Sequence, residues 1–291
     1  MKWVLNTVLF MQLILSIGIT ELYSTENTAE YMHVPFTEIN GLIVVEATIN
    51  DEKGNYIFDT GANEIILNGK DFHNSEVFDT PTGSTTAATK SIKKITVGAY
   101  TKENLDAFVV DLSSIESYLQ IQLDGIIGSE FFVPNNIMLD FEAQIITLSE
   151  LPFANAESMA AQKFNFEVHE ELIILKCELG KKNLKFVLDS GSSLSTIDQS
   201  VYNRLFAGKN GTKEELVDLY TASDKKQTVR KAALENITIG EYDLNQVTFM
   251  INDLSAINEN LSVQVDGILN LKSLKADKII INMPDRTLFI N

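Results

Sequence analysis

The sequence predicts an all-β fold in which two homologous lobes pack about a pseudo-twofold axis. Three observations carry this reading. First, the chain repeats itself: ITVGAYTKENLDAFVVDLSSI at 95–115 lies over ITIGEYDLNQVTFMINDLSAI at 237–257, an offset of 142 residues. Second, the apolar residues fall in short runs of Ile, Val and Leu bounded by glycine or polar turns, which suits strands better than long helices. Third, each copy holds one Asp-Thr/Ser-Gly triplet at the equivalent place, Asp59-Thr60-Gly61 and Asp189-Ser190-Gly191. Copies of about 120 residues are too long for solenoid repeats and read as two domains.

The elements follow in chain order. Residues 1–24 carry Lys2, an apolar stretch from Val4 to Ile19 and then small and polar residues, the layout of a signal peptide or an N-terminal anchor. The stretch includes Asn6, Gln12 and Ser16 and falls short of the roughly 18 clean apolar residues of a spanning helix. Residues 34–150 form the first lobe, with strands expected at 42–49, 56–59, 107–111, 137–140 and 144–148 and short helices at 113–120 and 128–134. A polar linker at 151–163, with Pro152 and several small residues, leads to the second lobe at 164–291. There GLIVVEATI at 41–49 recurs as ELIILKCEL at 171–179, and YIFDTGA at 56–62 as FVLDSGS at 186–192, both at an offset of 130. The difference from 142 marks a 12-residue insertion in the second copy, expected around Gly208 to Leu219. Helices are expected in this lobe at 197–206, 212–220 and 270–276.

Composition excludes several functions. With 40 acidic against 23 basic residues, the net charge of −17 offers no general attraction for nucleic acid or an anionic membrane. Cys177 is the only cysteine, so neither an intramolecular disulfide nor a Cys-based zinc site can form, and its setting in LIILKCEL reads as a buried strand. His33, His73 and His169 lie far apart, in no metal-binding spacing, and read as surface or structural residues. No metal and no cofactor is expected.

A lone Asp-Ser/Thr-Gly is weak evidence, since a turn after a strand explains it. Two such triplets at duplicated positions, each behind an apolar run, are strong evidence. If the two strand ends meet at the axis, Asp59 and Asp189 face one another. Adjacent carboxylates cannot both ionise comfortably, so they share a proton. One can then act as a base on water while the other polarises a carbonyl. Thr60 and Ser190 are suited to bonding across the axis, and Gly61 and Gly191 to close backbone approach.

These residues resemble the pepsin-like and retroviral-type aspartic proteases over roughly 36–150 and 164–291. A second signature supports the resemblance: Ile126-Ile127-Gly128 before a short helix. The short copies and the DTGA are similar to bacterial retroviral-type members that carry the unit in tandem. The resemblance implies a bilobal acid-protease fold and a secreted aspartic endopeptidase with Asp59 and Asp189 catalytic and Thr60, Gly61, Ser190 and Gly191 in support. It implies peptide or protein substrates, no nucleic-acid partner, and a monomer with an internal pseudo-dimer. The protein is expected to be exported to the periplasm or the exterior, or held at the membrane by its N-terminal segment. The substrate-covering flap is expected within 80–90, turning near Gly83. One departure stands out: Asn270 occupies the place of the second signature's glycine, a substitution expected to rely on asparagine's tolerance of left-handed backbone angles. This motivates an alternative, a weak or inactive module that binds extended peptides in the cleft.

Overall fold

The structure, a computed structural model, describes residues 31–70, 76–80, 83–206, 214–219, 227–244 and 246–291. The expected signal or anchor at 1–24 and His73 lie outside the described residues. Within them, no helix is long and apolar enough to cross a membrane.

The first lobe consists of β1 (Met32–Ile39), β2 (Leu42–Ile49), β3 (Glu52–Phe58), β4 (Ile65–Asn68), β5 (Glu76–Thr80), β6 (Gly83–Val97), β7 (Tyr100–Val110), α1 (Ser113–Leu119), β8 (Gly125–Ile127), α2 (Ser129–Phe132), β9 (Asn136–Asp140) and β10 (Ile145–Ser149). A single helical turn, α3 (Ala156–Met159), precedes the second lobe. That lobe has β11 (Gln162–His169), β12 (Leu172–Leu179), β13 (Lys182–Asp189), β14 (Ser195–Asp198), α4 (Gln199–Leu205), β15 (Glu214–Leu219), β16 (Gln227–Leu234), β17 (Ile237–Ile239), β18 (Tyr242–Asp243), β19 (Val247–Asn252), α5 (Ser255–Asn260) and β20 (Gly267–Asn270). A 3-10 turn at Leu271–Leu274, β21 (Lys278–Asn282) and β22 (Thr287–Ile290) complete it.

Short hairpins build both lobes because the turns favour them. Asn40 and Gly41, and Asn50 and Asp51, have positive φ at both central positions, the twist that matches antiparallel strands. Between the hairpins β3 lies parallel to β8, pairing Ile57 with Ile126, while β4 runs antiparallel to β8 and parallel to β7. The second lobe repeats this register, pairing Val187 with Ile268 and Thr196 with both Ile268 and Met250. Apolar side chains fill each lobe, among them Phe58, Phe131 and Phe132 in the first and Phe186, Phe249 and Tyr202 in the second. Cys177 is fully buried on β12, and burial pushes its thiol up to about 12.

Six antiparallel strands in the order β1-β10-β9-β21-β22-β11 join the lobes. At their centre Met138 pairs with Ile280, two positions that the 142-residue offset carries onto each other. The pseudo-twofold axis therefore passes between them.

Two helix assignments need correction. Residues 212–220 were expected to be helical, but Glu214–Leu219 is a strand paired antiparallel with β16. EELVDL is a fair helix sequence locally, yet cross-strand pairing overrides it, helped by Arg230 to Glu214 at 3.2 Å and Lys231 to Glu215 at 3.4 Å. Conversely, α5 forms at Ser255–Asn260, where no helix was expected, as the duplicate of α1. Of the stretch around Gly208 to Leu219, where the second copy's insertion was expected, the residues up to 213 lie outside the described set and the rest forms β15.

Candidate active site

Both aspartates sit where an apolar strand ends. The runs ending at Phe58 and Leu188 are buried, which fixes the strand ends, and Asp59 N donates to Ile127 O at 3.0 Å. The chain then turns: Gly61 N donates to Asp59 Oδ1 at 2.8 Å and Gly191 N to Asp189 Oδ1 at 2.6 Å. The duplication brings the two turns face to face, with both aspartates half-buried at the cleft floor.

Four crossing hydrogen bonds lock the turns together. Thr60 Oγ1 donates to Leu188 O at 2.9 Å and accepts from Ser190 N at 3.1 Å. Ser190 Oγ donates to Phe58 O at 2.7 Å and accepts from Thr60 N at 3.0 Å. Each hydroxyl thus ties its own lobe to the backbone of the other, and both residues are buried. The glycines have a steric reason of their own. A Cβ on Gly61 would lie 2.4 Å from Asp189 Cγ, and one on Gly191 would lie 2.1 Å from Asp59 Cγ. Each glycine makes room for the carboxylate of the opposite lobe.

Burial dominates the electrostatics of the pair. Desolvation raises the Asp59 carboxyl, opposed by a hydrogen bond from Asp189 and by the amides of Gly61, Ala62 and Gly191. Asp189 is raised well above the ordinary range, by desolvation first, then by the charge of Asp59 and their hydrogen bond, against the amides of Gly191 and Ser192. Both carboxyls are raised, so the pair as a whole holds one proton and one negative charge.

Beside Asp189 the cleft widens into a cavity of about 350 Å³. Its wall is apolar at Leu172, Val187, Ile257, Leu261 and Ile268 and polar at Asn63 and Glu64. The residues from α5 were missing from the sequence reading. The duplication signals them, because offset 142 carries α1 onto this segment. Gly83 opens β6 opposite Thr80 of β5, and β5 approaches α5 of the other lobe, so this hairpin spans the cleft. The turn expected near Gly83 includes residues 81–82, which are outside the described set. His33 and His169 do not join the site: His33 Nδ1 lies 3.1 Å from Thr147 Oγ1, and His169 pairs with Glu167 at 3.4 Å.

Asn270 ends β20, at the place where Gly128 stands in the first lobe. Its backbone is extended, with φ −63° and ψ 138°, so the expected use of left-handed tolerance is absent. Its side chain does the work instead, as Oδ1 accepts from Lys272 N at 2.8 Å and Nδ2 donates to Ser192 O.

Comparison with known families agrees with this geometry. A family model described as aspartyl protease matches the chain twice, over residues 45–131 and 175–271, once around each aspartate and together over more than half the chain. No curated protein matches it. Two matches to one model, each holding half of a carboxylate pair that meets at the axis, make this chain a member of the aspartyl protease family in which a single polypeptide carries the unit twice.

Proposed function

We propose that the protein is an exported aspartic endopeptidase that hydrolyses extended peptides with water activated between Asp59 and Asp189. The observation that carries this reading is the carboxyl pair that the duplicated turns bring together, each held by one amide of its own turn and both raised by burial. In the reaction Asp59, as carboxylate, takes a proton from water while the oxygen attacks the scissile carbonyl carbon, and Asp189 gives its proton to the carbonyl oxygen. The tetrahedral intermediate collapses as its C–N bond breaks. The amine leaves with the proton held by Asp59, and Asp189 recovers a proton from the departing hydroxyl. Atoms and charge balance without a covalent enzyme intermediate. Thr60, Gly61, Ser190 and Gly191 hold the two carboxyls in register.

The cavity beside Asp189 favours a peptide with a sizeable apolar side chain next to the scissile bond, with Glu64 at its polar edge. One chain supplies both aspartates, so a monomer carries a whole site. The N-terminal apolar stretch supports export. To test the proposal, the purified protein is incubated with a mixed peptide library at acidic and neutral pH, and products are read by mass spectrometry. Cleavage by the wild type and none by Asp59→Asn or Asp189→Asn is expected. Peptides bound but never cleaved would overturn it in favour of a peptide-binding module.

A further inference from the structure

We propose that Asn270 is a positioning residue for Asp189, and that with Ser195 and Ser273 it replaces by side-chain hydrogen bonds the close backbone packing that holds Asp59. This rests on the reading of Asp189 as catalytic.

The two lobes solve one problem in different ways. In the first, a Cβ on Gly128 would lie 2.3 Å from Glu64 O and 2.7 Å from Asn63 O, so backbone presses on backbone beneath the Asp59 loop. That contact lets Ser129 N donate to Ala62 O at 2.8 Å and Glu130 N to Asn63 O at 2.9 Å. In the second lobe a side chain fills the space. The carbonyl equivalent to Ala62 O, at offset 130, is Ser192 O, and it accepts from Asn270 Nδ2 instead of from a backbone amide.

Two further positions change with Asn270. Ser195 stands where the first lobe has Ile65, and Ser273 where it has Phe131, both of them fully buried apolar residues. Asn270 N donates to Ser195 Oγ at 3.1 Å, and Ser195 Oγ lies 2.7 Å from Ser273 Oγ. With the bond from Lys272 N to Asn270 Oδ1, a connected polar network underlies the Asp189 loop, where the first lobe has an apolar contact.

Its link to the carboxyl pair is Ser192. Gly191 N donates to Asp189 Oδ1 at 2.6 Å, and the carbonyl of the next residue, Ser192, is gripped by Asn270. Releasing the Ser192 carbonyl frees the turn to shift and weakens the hold of Gly191 N on the Asp189 carboxyl. Losing a donor to the charged form raises the upper apparent pKa of the pair, and misaligning the acid slows the chemical step more than it weakens binding.

The test compares Asn270→Ala and Asn270→Asp with the wild type. For Asn270→Ala we expect kcat to fall roughly 10- to 100-fold with KM within about twofold, and the alkaline limb of the pH profile to move upward. In Asn270→Asp the acceptor for Lys272 N is kept, and the donor to Ser192 O returns only when the new carboxyl is protonated. On the acid side of the alkaline limb its activity relative to wild type should therefore climb as pH falls, whereas the ratio for Asn270→Ala is flat there and rises only across the limb. Asn270→Asp decides the matter if Asn270→Ala fails to fold. Carbon-13 NMR titration of the aspartyl carboxyls gives a readout independent of turnover. If the wild type cleaves no peptide, the proposed function fails, and the NMR titration still decides this inference. Wild-type kcat in Asn270→Ala with an unmoved upper pKa, or an Asn270→Asp ratio that does not respond to pH, would overturn it.

Discussion

Thr60→Ala tests the crossing hydrogen bonds that join the lobes beneath the site. The hydroxyl donates to Leu188 O at 2.9 Å and accepts from Ser190 N at 3.1 Å, in a residue only 3% exposed. Its removal leaves a carbonyl and an amide buried without partners. At about 1–3 kcal/mol for each unsatisfied group, the cost falls between about 2 and 6 kcal/mol. Partial relaxation of the two turns brings the expected cost to about 3 kcal/mol, or roughly a 6 °C fall in Tm. Ser190→Ala should cost the same within about 1 kcal/mol, because its two bonds mirror those of Thr60. Thr60→Ser keeps the hydroxyl and should lose less than about 1 kcal/mol. Urea unfolding followed by circular dichroism measures each change. Thr60→Ala within about 0.5 kcal/mol of wild type would show that these bonds do not hold the lobes together.

The other predictions concern the carboxyl pair. Asp59→Asn and Asp189→Asn should each abolish cleavage almost as completely as the double variant, since one water needs both an acid and a base; substantial activity in either single variant refutes the assignment. Activity should follow a bell in pH that falls towards neutrality, and a rate still climbing through about pH 9 would point to another base. Both carboxyls are raised on folding, so the native state binds more protons than the unfolded chain. Their contribution to stability is present below the unfolded value of about 4 and is lost as pH rises through the native values. Asp189→Asn should accordingly be more stable than wild type at neutral pH, with the gap closing in acid, as thermal unfolding across pH would reveal. Gly61→Ala forces a Cβ to within 2.4 Å of Asp189 Cγ and should lower kcat by about a hundredfold or more. Residues 31–150 and 151–291, expressed separately, should be inactive alone and active when mixed. Each half exposes the strand, β9 or β21, that pairs at the centre of the joint sheet.

The sequence by itself determined the duplication, the strand content and the two aspartates. A duplicated gene product must repeat its apolar periodicity, and a carboxylate behind an apolar run is conspicuous wherever the chain goes. What one strand pairs with was decided only in three dimensions. EELVDL suits a helix until QTVRKAAL lies alongside it, and no local pattern announces that partner. The glycines of the triplets read as turn residues, whereas each in fact clears space for the aspartate of the other lobe, Gly61 for Asp189 and Gly191 for Asp59, contacts distant in sequence. Asn270 shows the same divide. Its place in the duplication was legible and the backbone angle expected of it was not realised, because the consequence of an added side chain depends on which groups surround it. Here those groups are a carbonyl, an amide and a serine hydroxyl that only the folded lobe assembles.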